Sequence, residues 1–424
     1  MFVMDGNFCS ENFYIDINFY NDEHKNLLGS YPYPKEQISK MKVMVLTPLK
    51  IDPVDFLTYY LFHNKKHNPV KFPNKLEVSK FINYAFDSIS IFFGLQNGSL
   101  RGLPNVLSAE NSVVEHIGDA IGMIVISELH ELISADWEVI PITKEKDFDF
   151  SISSAGNYFV QIETKGSFVK NNKNKPSTIN NHKKSIIDKK DHIRKSGRNH
   201  HFPINVMYGV IASIDSVTTH NLQCWLLDPP SSDINYDPMT YKYLSRISFA
   251  YKFINLISPD SQLTESINNR VKEINIFSDY SSLNSSPLLK RNGSGFFIYD
   301  SKVPDFFYKK SIIENNNNKV GGGSWFYLND SAVFFIGLTA DFVKLIARHN
   351  VDEIIGFNQE IMKIEGEWKL YSEWTANDRA EYSKFLTKPI VSLTHEGQSV
   401  FKVNGAIGVS KSGIMMGVLD VAKN

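Results

Sequence analysis

Cysteine is almost missing from this chain: Cys9 and Cys224 are the two examples in 424 residues. They lie far apart and lack metal-site spacing. A disulfide framework and a cysteine zinc site are both excluded, and a reducing compartment is the simpler expectation. Excess charge of either sign is missing too, since 45 basic and 46 acidic side chains leave a formal charge of −1. That balance excludes a globally basic nucleic-acid binder, so any cationic surface must be local. No run approaches the roughly 18 continuous apolar residues of a membrane span. The opening residues, MFVMDGNFCSENF, have neither the basic nor the apolar region of a secretion signal. A soluble cytoplasmic protein with no membrane partner is therefore expected. Internal repeats are absent as well.

Several familiar chemistries drop out on the same grounds. His200-His201 has no helical i, i+4 partner or nearby cysteine that would complete a zinc site. Gly321-Gly322-Gly323-Ser324 is not followed by Lys-Ser/Thr, so it is not a phosphate-binding loop. No serine sits in a nucleophile elbow. The phenylalanine-rich stripes read as core rather than as base-stacking platforms.

What is present is an ordinary globular composition, 42% hydrophobic and 21% charged, over a length sufficient for two or three domains. Residues 1–108 read as an N-terminal α+β region with a short strand at Lys42–Leu46. A helix follows over Lys75–Phe93, where Leu76, Phe81, Ile82, Ala85, Phe86, Ile89 and Phe93 fall on one stripe. Residues 109–230 open with a long helix over Ser112–Ile133, marked by apolar residues at three- and four-residue spacing. Strands are expected at Trp137–Ile142, Phe148–Ile152 and Tyr158–Thr164, the last two joined by the turn Ala155-Gly156-Asn157. A helix over Ile179–Arg194 and a buried strand over Ile204–Ile214 complete the order helix, three strands, helix, strand. Residues 231–424 read as a C-terminal α+β region with a regulatory or recognition role. It is strand-rich at Trp325–Leu338 and Phe401–Val418, with a helix over Thr339–His349 and a linker or loop at 315–324.

The most informative stretch is Asp147–Lys165, DFDFSISSAGNYFVQIETK. Five acid-x-lysine triplets occur, starting at Glu23, Glu163, Asp188, Asp300 and Glu367, so the spacing alone decides nothing. Context separates them. The two-residue period of a strand puts Gln161, Glu163 and Lys165 on one face and Val160, Ile162 and Thr164 on the other. Acid and ammonium then emerge together at the carboxyl end of a buried strand, where α/β sheets bind ligands. A hairpin would bring Asp147 or Asp149 beside Glu163; both fit, and Asp149 is preferred because it lies nearer the apolar body of its strand. Glu367-Trp368-Lys369 is the main competitor, but it lacks an acidic strand close upstream. On the preceding helix, Glu115, Gly118 and Gly122 share a face, and two glycines would let that helix approach the sheet closely. Two readings stand for Glu115: a further site carboxylate, or the closing residue of a capping box with Ser112.

This order of elements, with a DFDF strand and an ETKG strand, resembles the core of the PD-(D/E)XK nuclease superfamily over roughly residues 110–215. The resemblance implies a restriction-endonuclease-like α/β core and a magnesium-dependent nuclease that manganese would also support. Under it, Asp149 and Glu163 would be metal ligands, with the Thr164 carbonyl as an extra one. Lys165 would assist the attacking water, and Glu115 would be the helix carboxylate. No proline precedes the aspartate, a departure common in that superfamily. The resemblance further implies phosphodiester hydrolysis, of DNA rather than RNA, and a role in restriction or anti-phage defence. A homodimer, or a complex with a protein from the same operon, is expected by analogy.

The segment Lys170–Arg198 points to a polyanionic partner. It carries ten basic residues against Asp188 and Asp191, and Lys183, Lys189 and Lys190 are the expected phosphate contacts. An ordinary solvated helix would account for the same composition. A different class of function therefore stays open beside the enzyme: a nucleic-acid-binding or assembly subunit with a degenerate nuclease fold and no catalysis. A silent effector, awaiting a partner at residues 231–424, is the third reading.

Overall fold

A computed structural model describes residues 11–30, 35–63, 75–104, 106–138, 150–154, 159–196, 206–217, 219–227, 237–259, 261–274, 279–288, 311–315, 318–329, 331–371, 392–393 and 399–421. The chain is mixed α/β. It divides into one unit of Met1–His67, Phe86–Ser245 and Asn275–Ser282 and another of Asn68–Ala85, Arg246–Ile274 and Leu283–Asn424. Among the described residues no helix is long and apolar enough to cross a membrane.

The elements of the first unit run β1 (Phe13–Phe19), α1 (Asp22–Ser30), α2 (Lys35–Met44), β2 (Leu49–Ile51), α3 (Pro53–Phe62), α4 (Lys75–Phe92), β3 (Phe93–Gln96), β4 (Ser99–Gly102), α5 (Asn111–His130), β5 (Phe150–Ser154), β6 (Phe159–Phe168), α6 (Ser177–Ser196), β7 (Val206–Ile214), β8 (Leu222–Leu227) and α7 (Pro238–Ile257). The unit boundary falls within α4 and α7. A six-stranded sheet has the order β2-β1-β8-β7-β6-β5. Neighbours β1 and β8 are parallel, as are β6 and β7, whereas β1/β2, β7/β8 and β5/β6 are antiparallel. The parallel β6–β7 step needs a crossover, which α6 supplies. Every residue of β7 and β8 is buried, which accounts for their unbroken apolar character. Helix α5 packs on β6 and β7, and α3 packs against α5.

This topology redraws the first expected boundary. Strands β1 and β2 come from residues before 108, yet they extend the same sheet as β5–β8. Lys42–Leu46, read as a strand, instead contains the end of α2 and the turn after it, leaving Val43 and Leu46 exposed. Such a short alternating run is decided by its neighbours rather than by its own β propensity. A 3₁₀ turn, Ser134–Asp136, precedes the strand expected at Trp137–Ile142; Trp137 leaves it extended and Glu138 lies in a β-bridge, while residues 139–142 lie outside those described.

The second unit continues with α8 (Gln262–Glu273), β9 (Ser311–Asn315), β10 (Asn318–Asn329), β11 (Ala332–Thr339), α9 (Ala340–Arg348), α10 (Val351–Gly356), β12 (Met362–Tyr371), β13 (Ser392–Leu393), β14 (Ser399–Val409) and β15 (Ile414–Val421). The path is β12-β14-β15-β11-β10-β9, with β13 pairing on β14. The sheet curls until its ends meet. The Tyr371 amide donates to Ser311 Oγ at 3.0 Å, and the Trp325 indole donates to the Tyr371 carbonyl at 2.9 Å. Trp325, Phe335, Trp368, Leu370, Ile407 and Leu419 form part of the core of this curled sheet. Helix α9 is capped by the Thr339 hydroxyl, and His349 closes it with φ of 57°.

The expected linker at 315–324 is corrected here, because residues 318–324 are the first half of β10. The glycines do not loosen the chain. A Cβ at Gly321 would overlap the Leu338 carbonyl oxygen, and one at Gly323 would overlap that of Ile336. They allow a close approach between backbones within the sheet.

Candidate functional site

Strand β6 carries Glu163, Thr164 and Lys165 in its middle rather than at its end, because it runs on to Phe168. Gly166, just past the expected strand end at Thr164, is a packing contact. A Cβ at Gly166 would overlap the Val114 carbonyl oxygen of α5, one at Gly118 would overlap the Gly166 backbone, and one at Gly122 would overlap the Thr164 methyl. The three glycines set α5 directly on β6. Thr164 faces that helix, where its hydroxyl donates to the buried Asp119 carboxylate.

Glu163 and Lys165 point the other way, toward α6. Glu163 is 0% exposed and accepts on one oxygen from two ammonium groups, Lys165 at 2.7 Å and Lys189 of α6 at 2.9 Å. In register beside Glu163 on β7 stands Gly209, where a Cβ would come within 2.6 Å of Ile186. The missing side chain leaves room for α6 to settle over the carboxylate. Around this point Ile179, Ile186, Ile211, Trp225 and Leu227 form a buried apolar cluster with Tyr20. A carboxylate so placed needs positive countercharge, since unpaired burial is prohibitive. His182, also on α6, is pushed below the usual histidine range by burial and then by the Lys165 charge, against a hydrogen bond to the Gly166 backbone.

The other expected residues are distributed as follows. Asp147 and Asp149 lie outside the described residues. Strand β5 pairs antiparallel with β6, Phe150 opposite Ile162. Glu115 approaches β6 through its backbone at Gly166, on the face away from Glu163, and its side chain is exposed. It does not close a capping box: the helix N-cap is Glu110, and the Ser112 hydroxyl donates to the Glu110 carboxylate at 2.6 Å. Lys189 contacts Glu163 rather than standing free on the helix surface. Lys190 is only 2% exposed. The Lys183 ammonium lies 4.9 Å from the Tyr20 ring centre; that of Lys175 lies 5.1 Å from Tyr20 and 4.4 Å from Trp225. Those rings hold both cations by their negative faces.

Asp119 and His182 were not singled out from the sequence. Asp119 left a faint signal, as an acid within the otherwise apolar run Ile117–Ile126. His182 left none, because its proximity to Lys165 depends on how α6 crosses the sheet. The competing Glu367 and Lys369 are exposed on β12, with Glu367 3.7 Å from Lys402 on β14.

Glu163 supplies the hard oxygen that a magnesium ion prefers. Among the described residues no three His, Cys, Asp or Glu side chains gather at one point. No protein-family model, no curated protein and no solved structure matches the chain.

Proposed function

We propose that this protein is a metal-dependent nuclease that hydrolyses phosphodiester bonds, of DNA in preference to RNA, with a restriction-endonuclease-like core and a role in defence against foreign DNA. The observation that carries the reading is the buried Glu163 paired with the partly exposed Lys165 on a strand held between two helices in the order helix, strand, strand, helix, strand. Glu163 and either Asp149 or Asp147 would hold magnesium or manganese, with the Thr164 carbonyl as a further oxygen. Such an ion stabilises charge on a scissile phosphate and lowers the pKa of bound water.

The chain's own residues account for the remaining work. Lys165, next but one along the strand, places an ammonium at the same carboxylate, where it can orient a water and offset phosphate charge. The Thr164–Asp119 hydrogen bond and the glycine contacts fix the strand against α5, so Glu163 and Lys165 keep their direction. Lys183 and Lys175, steadied over aromatic rings, offer cations to a phosphate backbone.

Plasmid and single-stranded RNA cleavage with magnesium, manganese or EDTA tests this reading. Nicking that needs the cation and is lost in both Glu163→Gln and Lys165→Met is the expected result. One observation favours a second reading, a nucleic-acid-binding subunit without catalysis: two ammonium groups already answer the charge of Glu163 without any ion. Salt-sensitive DNA binding with no cleavage in any buffer, including one with an operon partner added, would favour it over the enzyme.

A further inference from the structure

Two lysines carried by different elements converge on one oxygen of Glu163. Lys165 comes from the same strand as Glu163, next but one in sequence, so its position follows from the strand alone. Lys189 does not. It comes from α6, twenty-six residues away, and is brought there by the packing of Ile186 over Gly209. Its ammonium lies 2.9 Å from the same Oε1 that Lys165 reaches at 2.7 Å, and its side chain is 19% exposed. Lys165 is as exposed, at 20%, so what sets Lys189 apart is its element: it can leave the carboxylate without disturbing the strand that carries Glu163.

We propose that Lys189 is a positioning residue that occupies the divalent-cation side of Glu163 while the cation is absent, and leaves it when the cation binds. This inference rests on the reading of Glu163 as a metal ligand. A doubly charged ion arriving at an oxygen that already carries two ammonium groups meets strong repulsion at close range, which falls when one of them leaves. Once displaced, the ammonium would swing on its flexible stem toward solvent. There it becomes the phosphate contact expected from the basic segment of α6. The cation would thus be admitted only with a change in α6, and substrate phosphate would favour the displaced position. Cation and polyanion binding would then reinforce each other, because each is stronger when the lysine has moved.

The test measures manganese binding to the full-length protein by calorimetry and by electron paramagnetic resonance of the free ion, without substrate. Lys189→Gln keeps a hydrogen-bond donor for Glu163 but removes the competing charge. It should tighten manganese binding by about tenfold, equivalent to some 1.4 kcal/mol. Lys189→Arg, which can grip the carboxylate through two parallel hydrogen bonds, should weaken binding. Glu163→Gln should abolish it. In the wild type, a short DNA duplex should raise manganese affinity, and in Lys189→Gln that coupling should shrink. Unchanged manganese affinity in both Lys189 variants, with loss in Glu163→Gln, would overturn the competition while leaving Glu163 as a ligand. Manganese binding that is indifferent to Glu163→Gln, or absent from every variant, would overturn both.

Discussion

Glu163-Thr164-Lys165 and Glu367-Trp368-Lys369 carry the same acid-x-lysine spacing, each on a ten-residue strand, and differ in almost everything else. On β6 the acid is fully buried, enclosed by a helix on its own face and backed by a second helix on the opposite face. On β12 the apolar side chains Trp368 and Leu370 turn into the core of the curled sheet, and Glu367 and Lys369 are left in solvent. Burial changes what a charge does. In water an ion pair contributes little; beneath a helix the same carboxylate must be answered, and whatever answers it is held in place. Spacing nominated both triplets, and layering separates them.

The strongest way to sharpen the comparison is through the packing that creates the buried setting. Gly166→Ala should cost unit one more than about 3 kcal/mol, because the new methyl overlaps the Val114 carbonyl and neither backbone can move freely. Gly356→Ala at the end of α10, where nothing lies within 4 Å, should change stability by less than about 1 kcal/mol. Urea titrations of both variants decide this, and equal effects would remove the case for a glycine-dependent contact between α5 and β6.

Next in size is the charge itself. Replacing Lys165 and Lys189 together by Met withdraws both ammonium groups from a buried carboxylate and should cost about 3 kcal/mol in chemical denaturation. Glu367→Gln on the exposed strand should fall within about 0.5 kcal/mol of the parent protein. A Glu367 effect as large as the double lysine change would erase the distinction drawn here.

Acid offers a smaller probe that touches both units. Burial holds His130 of unit one down to about 3 and, with the Arg270 charge, His349 of unit two down to about 4, both from 6.5. Each is neutral in the fold and takes up a proton on unfolding. Their stabilising contribution is thus complete above pH 6.5 and is lost as pH falls, to about 4 for His349 and about 3 for His130. His349→Asn, which tolerates the positive φ at that position, should flatten the dependence between pH 6.5 and 4 in thermal melts. An unchanged slope would exclude His349 as a contributor.

Much of the chain up to β7 could be read from the sequence. The stripe over Lys75–Phe93 and the long apolar helix before Ile133 correspond to α4 and α5, within three residues at each end. The alternation along β6 put Glu163 and Lys165 together and Thr164 opposite, as their contacts now show. What the pattern concealed has one recurring cause. Gly321 and Gly323 fall in a run that reads as a linker, and Gly166 lies past the expected strand end at Thr164, yet each is inside a strand and permits a close backbone approach. Sequence marks where a side chain is missing, not what will fill the space. Burial of Glu163 depended on Gly166 continuing the strand, and the Lys189 contact depended on the path of α6, so neither was visible beforehand. Strand β8, with its unbroken LQCWLL, carried a readable signal that went unassigned.

Crystals grown with manganese and examined by anomalous scattering test the central claim most directly. The account predicts one strong peak about 2.2 Å from the Glu163 carboxylate, shared with a carboxylate from Asp147 or Asp149, with Lys189 moved away. A map with no peak there, both lysines still on Glu163, and no cleavage by the same preparation would contradict it.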